Sequence, residues 1–330
     1  MDIKIHLHDE YVIAGQRYIL DEKNKEGLRD NVNSLIEFFA KEDHLNISML
    51  REIYFPNDYT NELLTFQKEN KLIEGHTQND VAIGFAITLP IITEDNEKNI
   101  VIFYRPEILI GIIGVLMVDG NAFDEAKDEF FMVLNTLYHE FCHVNDHYHQ
   151  KSMLDFSETN QMDILNKMVF STSLSTWEEY YAYRMTSRRY PLPNLDKEHL
   201  MESLEWLSKR TIELKEKFIT DKDMDYFWVN FYNDSFYVLR TAAGLYGTTI
   251  ELPFDECEKT MEEINIMLQD TYFAQTFSEL GEQLTILYDN YPNWNGFNSL
   301  LPINKVVINF WNSCNVYPED IGGNRLWVGI

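Results

Sequence analysis

The sequence has few cysteines and few basic residues, and each shortage excludes a class of protein. Three cysteines (Cys142, Cys257 and Cys314) in 330 residues are too few and too widely spaced for a disulfide framework. Lys and Arg total 27 against 54 Asp and Glu, which gives a formal net charge of −27. So acidic a chain would repel a phosphate backbone or an anionic lipid surface. We therefore expect a cytoplasmic protein with neither a nucleic-acid nor a membrane partner.

The sequence also lacks an apolar stretch long enough to cross a bilayer. The longest apolar run, residues 108–118, has 11 residues, whereas a spanning helix needs about 20. The first ten residues alternate charged with apolar side chains and contain no hydrophobic signal core, so no secretory export is expected. A hydrophobic content of 45% still supplies a sizeable core, which excludes a chain disordered throughout.

The order of the patterns predicts an α+β chain, with a small mixed sheet followed by a mostly helical domain. Alternating apolar residues predict a strand over 81–89, and residues 100–104 predict a second strand that would pair with it as a hairpin. Two prolines at 191 and 193 cannot lie inside a helix, so we place a domain boundary there, between 1–190 and 191–330. Helices are expected at 25–41, after Asp58, after Gly120, from Ser175 or Thr176, and at about 196–219, 224–245, 255–270 and 274–289.

The segment that carries chemistry begins at His139 and reads H-E-x-x-H-V-N-D-H-Y-H. Residues four apart on a helix lie on one face, so His139 and His143 can bind the same metal ion. Glu140 is turned about 100° from His139 and can reach a water on that metal. The spacing thus predicts two imidazole ligands and one carboxylate that accepts a proton.

A catalytic zinc usually has three protein ligands, so one more residue is needed. His147 lies eight residues after His139, about 12 Å along a helix, and so cannot share one ion with it. The same distance argues against Asp146, and His149 would require the helix to end before it. The third ligand is therefore expected from another segment.

Glu179 is the preferred candidate for this ligand. Ala182 follows it by three residues, on the same helical face, and its small side chain would allow a close approach to the metal-bearing helix. Glu178 has no such neighbour. A different explanation remains open, because Thr176-x-x-Glu179 also has the form of a capping box at a helix N-terminus.

These residues resemble a known family. His139-Glu-x-x-His143, followed by Glu179-Tyr-Tyr-Ala182, looks like the H-E-x-x-H…E-x-x-A pattern of gluzincin-type zinc metallopeptidases. The pattern is weakly similar to the ImmA/IrrE group of bacterial and phage-associated regulatory peptidases, although Cys142 stands where that group usually has glycine. The resemblance covers residues 80–187 and implies a zincin-like domain over 1–190.

The resemblance also implies an activity. It predicts a hydrolase that cleaves peptide bonds in a peptide or protein substrate, with Zn²⁺ bound by His139, His143 and Glu179. A metal-bound water would attack the scissile carbonyl, with Glu140 as general base. The donor for the oxyanion is left open among Tyr183, Arg184, His147, Tyr148 and His149.

Two alternatives remain: a non-catalytic zincin-like regulatory or binding protein, and an interaction protein without metal. An intact Glu140 argues against the first, because a binding module has no need of a base. The sequence does not indicate an oligomeric state.

Overall fold

A computed structural model describes residues 3–72, 84–93, 97–117, 127–192 and 197–330, with side chains left out at 114–117 and 127–130. The chain divides into two compact units. The first unit comprises Met1–Tyr148 with Arg189–Pro193, and the second comprises His149–Arg188 with Asn194–Ile330. The predicted domain division at residues 190 and 191 stays a prediction.

The first unit is built on a four-stranded mixed sheet. Its strands are β1 (Lys4–His6), β4 (Leu50–Tyr54), β5 (Ala86–Ile92) and β6 (Lys98–Tyr104), in the order β1-β4-β6-β5. β4 pairs in parallel with β1 and β6, and β5 pairs antiparallel with β6. The expected hairpin is therefore present, and β5 lies at one edge of the sheet. A separate hairpin joins β2 (Glu10–Ile13) to β3 (Gln16–Ile19).

The described residues of this unit also form helices. They are α1 (Glu22–Glu42), α2 (Tyr59–Glu69), α3 (Pro106–Met117) and α4 (Lys127–Met153), which passes into the second unit after Tyr148. Asp58 caps α2 by accepting a hydrogen bond from the backbone N–H of Asn61 at 3.2 Å. The expected N-terminus of α4 near Gly120 lies outside the described residues. No helix among the described residues is both long and apolar enough to span a membrane.

Buried aromatic rings fix α4 in the first unit. The ring centroid of Phe39 on α1 lies 5.2 Å from that of Tyr138 and 5.6 Å from that of Phe141, both on α4. From the sheet, Tyr104 donates its hydroxyl to the backbone carbonyl of Leu137 at 3.2 Å. These contacts anchor the helix on both sides of the turn where the H-E-x-x-H segment begins.

In its described residues, the second unit is helical apart from one short hairpin. It contains α5 (Ile164–Arg189), α6 (Lys197–Asp221), α7 (Met224–Ile250), α8 (Phe254–Leu268), α9 (Ala274–Asp289) and α10 (Leu301–Ser313), followed by β7 (Tyr317–Asp320) and β8 (Leu326–Gly329). The helices expected beyond residue 196 are all found, and α10 is an additional helix. α5 and α7 approach closely where α7 has glycine: a Cβ at Gly247 would lie 2.7 Å from the carbonyl oxygen of Tyr180.

Two expected boundaries differ from the structure. The strand expected at 81–89 is found at Ala86–Ile92, while residues 81–83 lie outside the described part. The helix expected to begin at Ser175 or Thr176 begins at Ile164, after Asp163 accepts a hydrogen bond from the backbone N–H of Asn166 at 2.7 Å. Thr176 is therefore in a helix interior and cannot be an N-cap. Its hydroxyl instead donates to the carbonyl of Thr172 at 2.7 Å.

Candidate metal centre

The two histidines of the H-E-x-x-H segment converge on one point. Both lie on α4, one helical turn apart, and their Nε2 atoms are 3.1 Å from each other. The ring planes cross at 79°, with centroids 4.8 Å apart. Two ligand bonds of about 2.1 Å to one tetrahedral metal place their nitrogens about 3.4 Å apart. The pair therefore has the geometry expected of two ligands to a single ion.

A third residue joins the histidine pair. His139, His143 and Glu179 each offer one ligand atom, and these atoms all lie within 4.8 Å of one another. Among the described residues, no other group of three or more His, Cys, Asp and Glu side chains meets this condition. Two imidazoles with one carboxylate form a donor set found at catalytic zinc sites. The chemistry of these side chains thus fits zinc.

Adjacent carboxylates on α5 have different partners. Glu179 is buried and forms an ion pair through Oε1 with Nη2 of Arg240 on α7. Glu178 accepts a hydrogen bond from Nε2 of Gln150 at 2.9 Å and another from the Ser175 hydroxyl at 3.3 Å. Burial lowers the pKa of the Arg240 guanidinium, but the attraction of Glu179 outweighs it, and the pKa is raised overall. Glu179 therefore pairs directly with Arg240, whereas Glu178 accepts hydrogen bonds from an amide and a hydroxyl, and its charge adds to the rise in the Arg240 pKa.

Glu140 is also buried, with 6% of its surface exposed. Its Oε2 accepts a hydrogen bond of 2.6 Å from the hydroxyl of Thr88 on β5. Burial raises the pKa of Tyr59 and of Tyr104, and the negative charge of Glu140 raises both further. The carboxylate is therefore buried, bonded to the edge strand through Thr88, and close enough to both phenols for its charge to affect their pKa values.

The other polar residues considered from the sequence lie outside the three-residue group. His147 is on the same helix and is bonded through Nδ1 to Lys98 Nζ at 3.2 Å. Arg184 is engaged by Glu251, with Nε donating to Oε1 at 2.6 Å. α4 continues to Met153, so the helix does not end before His149 and that residue cannot reach the ion. Asp146 is fully buried, while Tyr148 and Tyr183 are exposed.

Two residues of this centre were not found from the sequence. Thr88 lies in the alternating strand pattern, on the face opposite Ile87 and Leu89. The alternation could therefore have predicted that its side chain points away from the apolar cluster on that other face. Arg240 lies 61 residues beyond Glu179 and carries no local signal.

Comparison of the chain with known protein families, with curated proteins and with solved structures finds no match.

Proposed function

We propose that this protein is a zinc-dependent metallopeptidase of the zincin type, similar in its motif to the gluzincins. The observation that carries the proposal is the convergence of His139, His143 and Glu179 within 4.8 Å, with Glu140 next to one ligand on the same helix. In this proposal the two histidines and Glu179 hold the ion. Glu140 remains outside the ligand set as the base.

A zinc ion bound to these residues would supply a Lewis acid that polarises the scissile carbonyl and lowers the pKa of water toward 7. Glu140 would accept a proton from the attacking water and later pass it to the nitrogen of the leaving amine. The net reaction is hydrolysis of a peptide bond.

The substrate in this proposal is a peptide or a protein, and the setting is the cytoplasm. The motif resembles that of the ImmA/IrrE group. By this resemblance, the proposed role is regulatory proteolysis in a bacterium or phage. The alternative is a zincin-like metal-binding protein without catalysis. Both candidates bind zinc, and only the first requires Glu140.

Three forms of the full chain separate these candidates. Wild type, Glu140→Gln and His143→Ala are loaded with zinc and incubated with a library of internally quenched peptides. We expect cleavage by wild type, and a loss of about 10²- to 10⁴-fold in Glu140→Gln with zinc retained, because removal of a general base costs this much. His143→Ala should lose both metal and cleavage. Undiminished cleavage by Glu140→Gln would exclude the mechanism, and zinc binding without any cleavage by wild type would favour the non-catalytic candidate.

A further inference from the structure

The edge strand β5 has two faces with different partners. Leu89 is buried in an apolar cluster with Tyr59 and Val101, and Ile87 packs against the same cluster. Because side chains alternate along a strand, Thr88 lies on the opposite face. There its hydroxyl donates to Oε2 of Glu140 at 2.6 Å and approaches the Glu140 backbone carbonyl at 3.4 Å. β5 thus brings the Thr88 hydroxyl into hydrogen-bond contact with the carboxylate of Glu140, the residue that follows His139.

This hydrogen bond constrains the terminal torsion of the Glu140 side chain. The terminal torsion of a glutamate is broad and has no sharp staggered minima, so packing alone defines the carboxylate plane poorly. A short hydrogen bond to a charged oxygen is both stronger and more directional than one between neutral groups. The backbone of Thr88 is itself fixed, since Thr88 pairs with Ile102 in the β5–β6 ladder. The hydroxyl is therefore a rigid donor.

We propose that Thr88 is a positioning residue for Glu140, whose carboxylate it holds in one orientation by anchoring Oε2. This inference rests on the proposed function, since it assigns Thr88 a part in the same reaction. Thr88 does not touch substrate. It acts through Glu140, and its effect should therefore appear in the steps that need an oriented carboxylate, not in metal binding.

Three substitutions in the full chain separate positioning from packing. Thr88→Val keeps the branched shape and removes the donor, whereas Thr88→Ser keeps the donor and removes a methyl group. Thr136→Val is the matched control: Thr136 lies on α4 one turn before Glu140, and its hydroxyl donates within the helix to the carbonyl of Met132 at 3.0 Å. Each form is titrated with zinc by chelator competition and then with acetohydroxamate. This small zinc-binding acid also needs a base to accept its proton.

We expect all four proteins to bind one zinc with the same affinity within about twofold. Thr88→Val should bind acetohydroxamate about tenfold more weakly than wild type, the loss expected for one hydrogen bond to a charged group. Thr88→Ser and Thr136→Val should match wild type. On any library peptide that wild type cleaves, Thr88→Val should lower kcat and leave KM unchanged.

Failure of the proposed function and failure of the positioning role of Thr88 would give different results. Absence of zinc binding by wild type would overturn the proposed function. Zinc binding with equal acetohydroxamate affinity in wild type and Thr88→Val would overturn the positioning role alone. Equal defects in Thr88→Val and Thr88→Ser would also overturn it, because they would indicate that shape, and not the hydroxyl, is what matters.

Discussion

Arg240 on α7 forms an ion pair with Glu179 on α5, from Nη2 to Oε1. A carboxylate with one oxygen held by a guanidinium keeps its other oxygen in a defined direction. Groups that orient ligands in this way usually contribute about 10- to 100-fold to metal affinity. We therefore expect Arg240→Gln to bind zinc that much more weakly than wild type, measured by chelator competition.

Arg184→Gln is the control for a general loss of stability. Arg184 also lies on α5 and bonds Glu251, just beyond α7, at 2.6 Å, so its removal breaks an ion pair that joins the same two segments. Its zinc affinity should equal that of wild type even if its free energy of unfolding falls. Equal zinc affinities in Arg240→Gln and Arg184→Gln would contradict the orienting role of Arg240.

The two neighbouring glutamates give a sharper comparison. Glu179→Gln removes a ligand charge and should weaken zinc binding strongly, whereas Glu178→Gln should leave it unchanged, because Glu178 is bonded to Gln150 and Ser175. In Glu178→Gln the amide oxygen can still accept from Gln150, and the amide NH2 group can donate to the Ser175 hydroxyl. If Glu178→Gln lost zinc and Glu179→Gln kept it, the third ligand would have been assigned to the wrong residue.

Substitution of alanine for two helical glycines, Gly247 and Gly27, should change the free energy of unfolding in opposite directions. Gly247→Ala places a Cβ 2.7 Å from the backbone oxygen of Tyr180, which cannot rotate away, so we expect a loss of about 1–3 kcal/mol in the free energy of unfolding. Gly27→Ala on α1 meets nothing within 4 Å and should gain about 0.5–1 kcal/mol, because alanine is the better helix former. Urea denaturation measures both, and a neutral Gly247→Ala would show that the two helices separate easily.

Much of the fold was predictable because strong periodicity and local capping agree with each other. α1, α2 and the helices over 197–289 follow apolar spacing, and the histidine pair follows from helical geometry alone. The start of α5 was not predictable in this way. Ser and Thr residues at 171–176 favour caps and turns in an isolated chain, yet Thr172, Ser173 and Thr176 are buried in a continuous helix, where tertiary packing overrides propensity.

In the candidate site too, residues close together in the sequence were predictable and residues from distant segments were not. His139, Glu140 and His143 lie within five residues, so their relation depends only on the helix. Thr88 and Arg240 reach the site through strand pairing and helix packing over 52 and 61 residues. No pattern within either segment specifies those contacts.

Metal content tests the central claim most directly. We expect elemental analysis of the purified wild-type chain to find one zinc per chain, and analysis of His143→Ala, prepared in parallel, to find a small fraction of that amount. His143→Ala deletes one of two imidazoles whose Nε2 atoms are 3.1 Å apart. Only one imidazole ligand then remains on the helix. Wild type without stoichiometric zinc, or equal zinc in both proteins, would contradict the account.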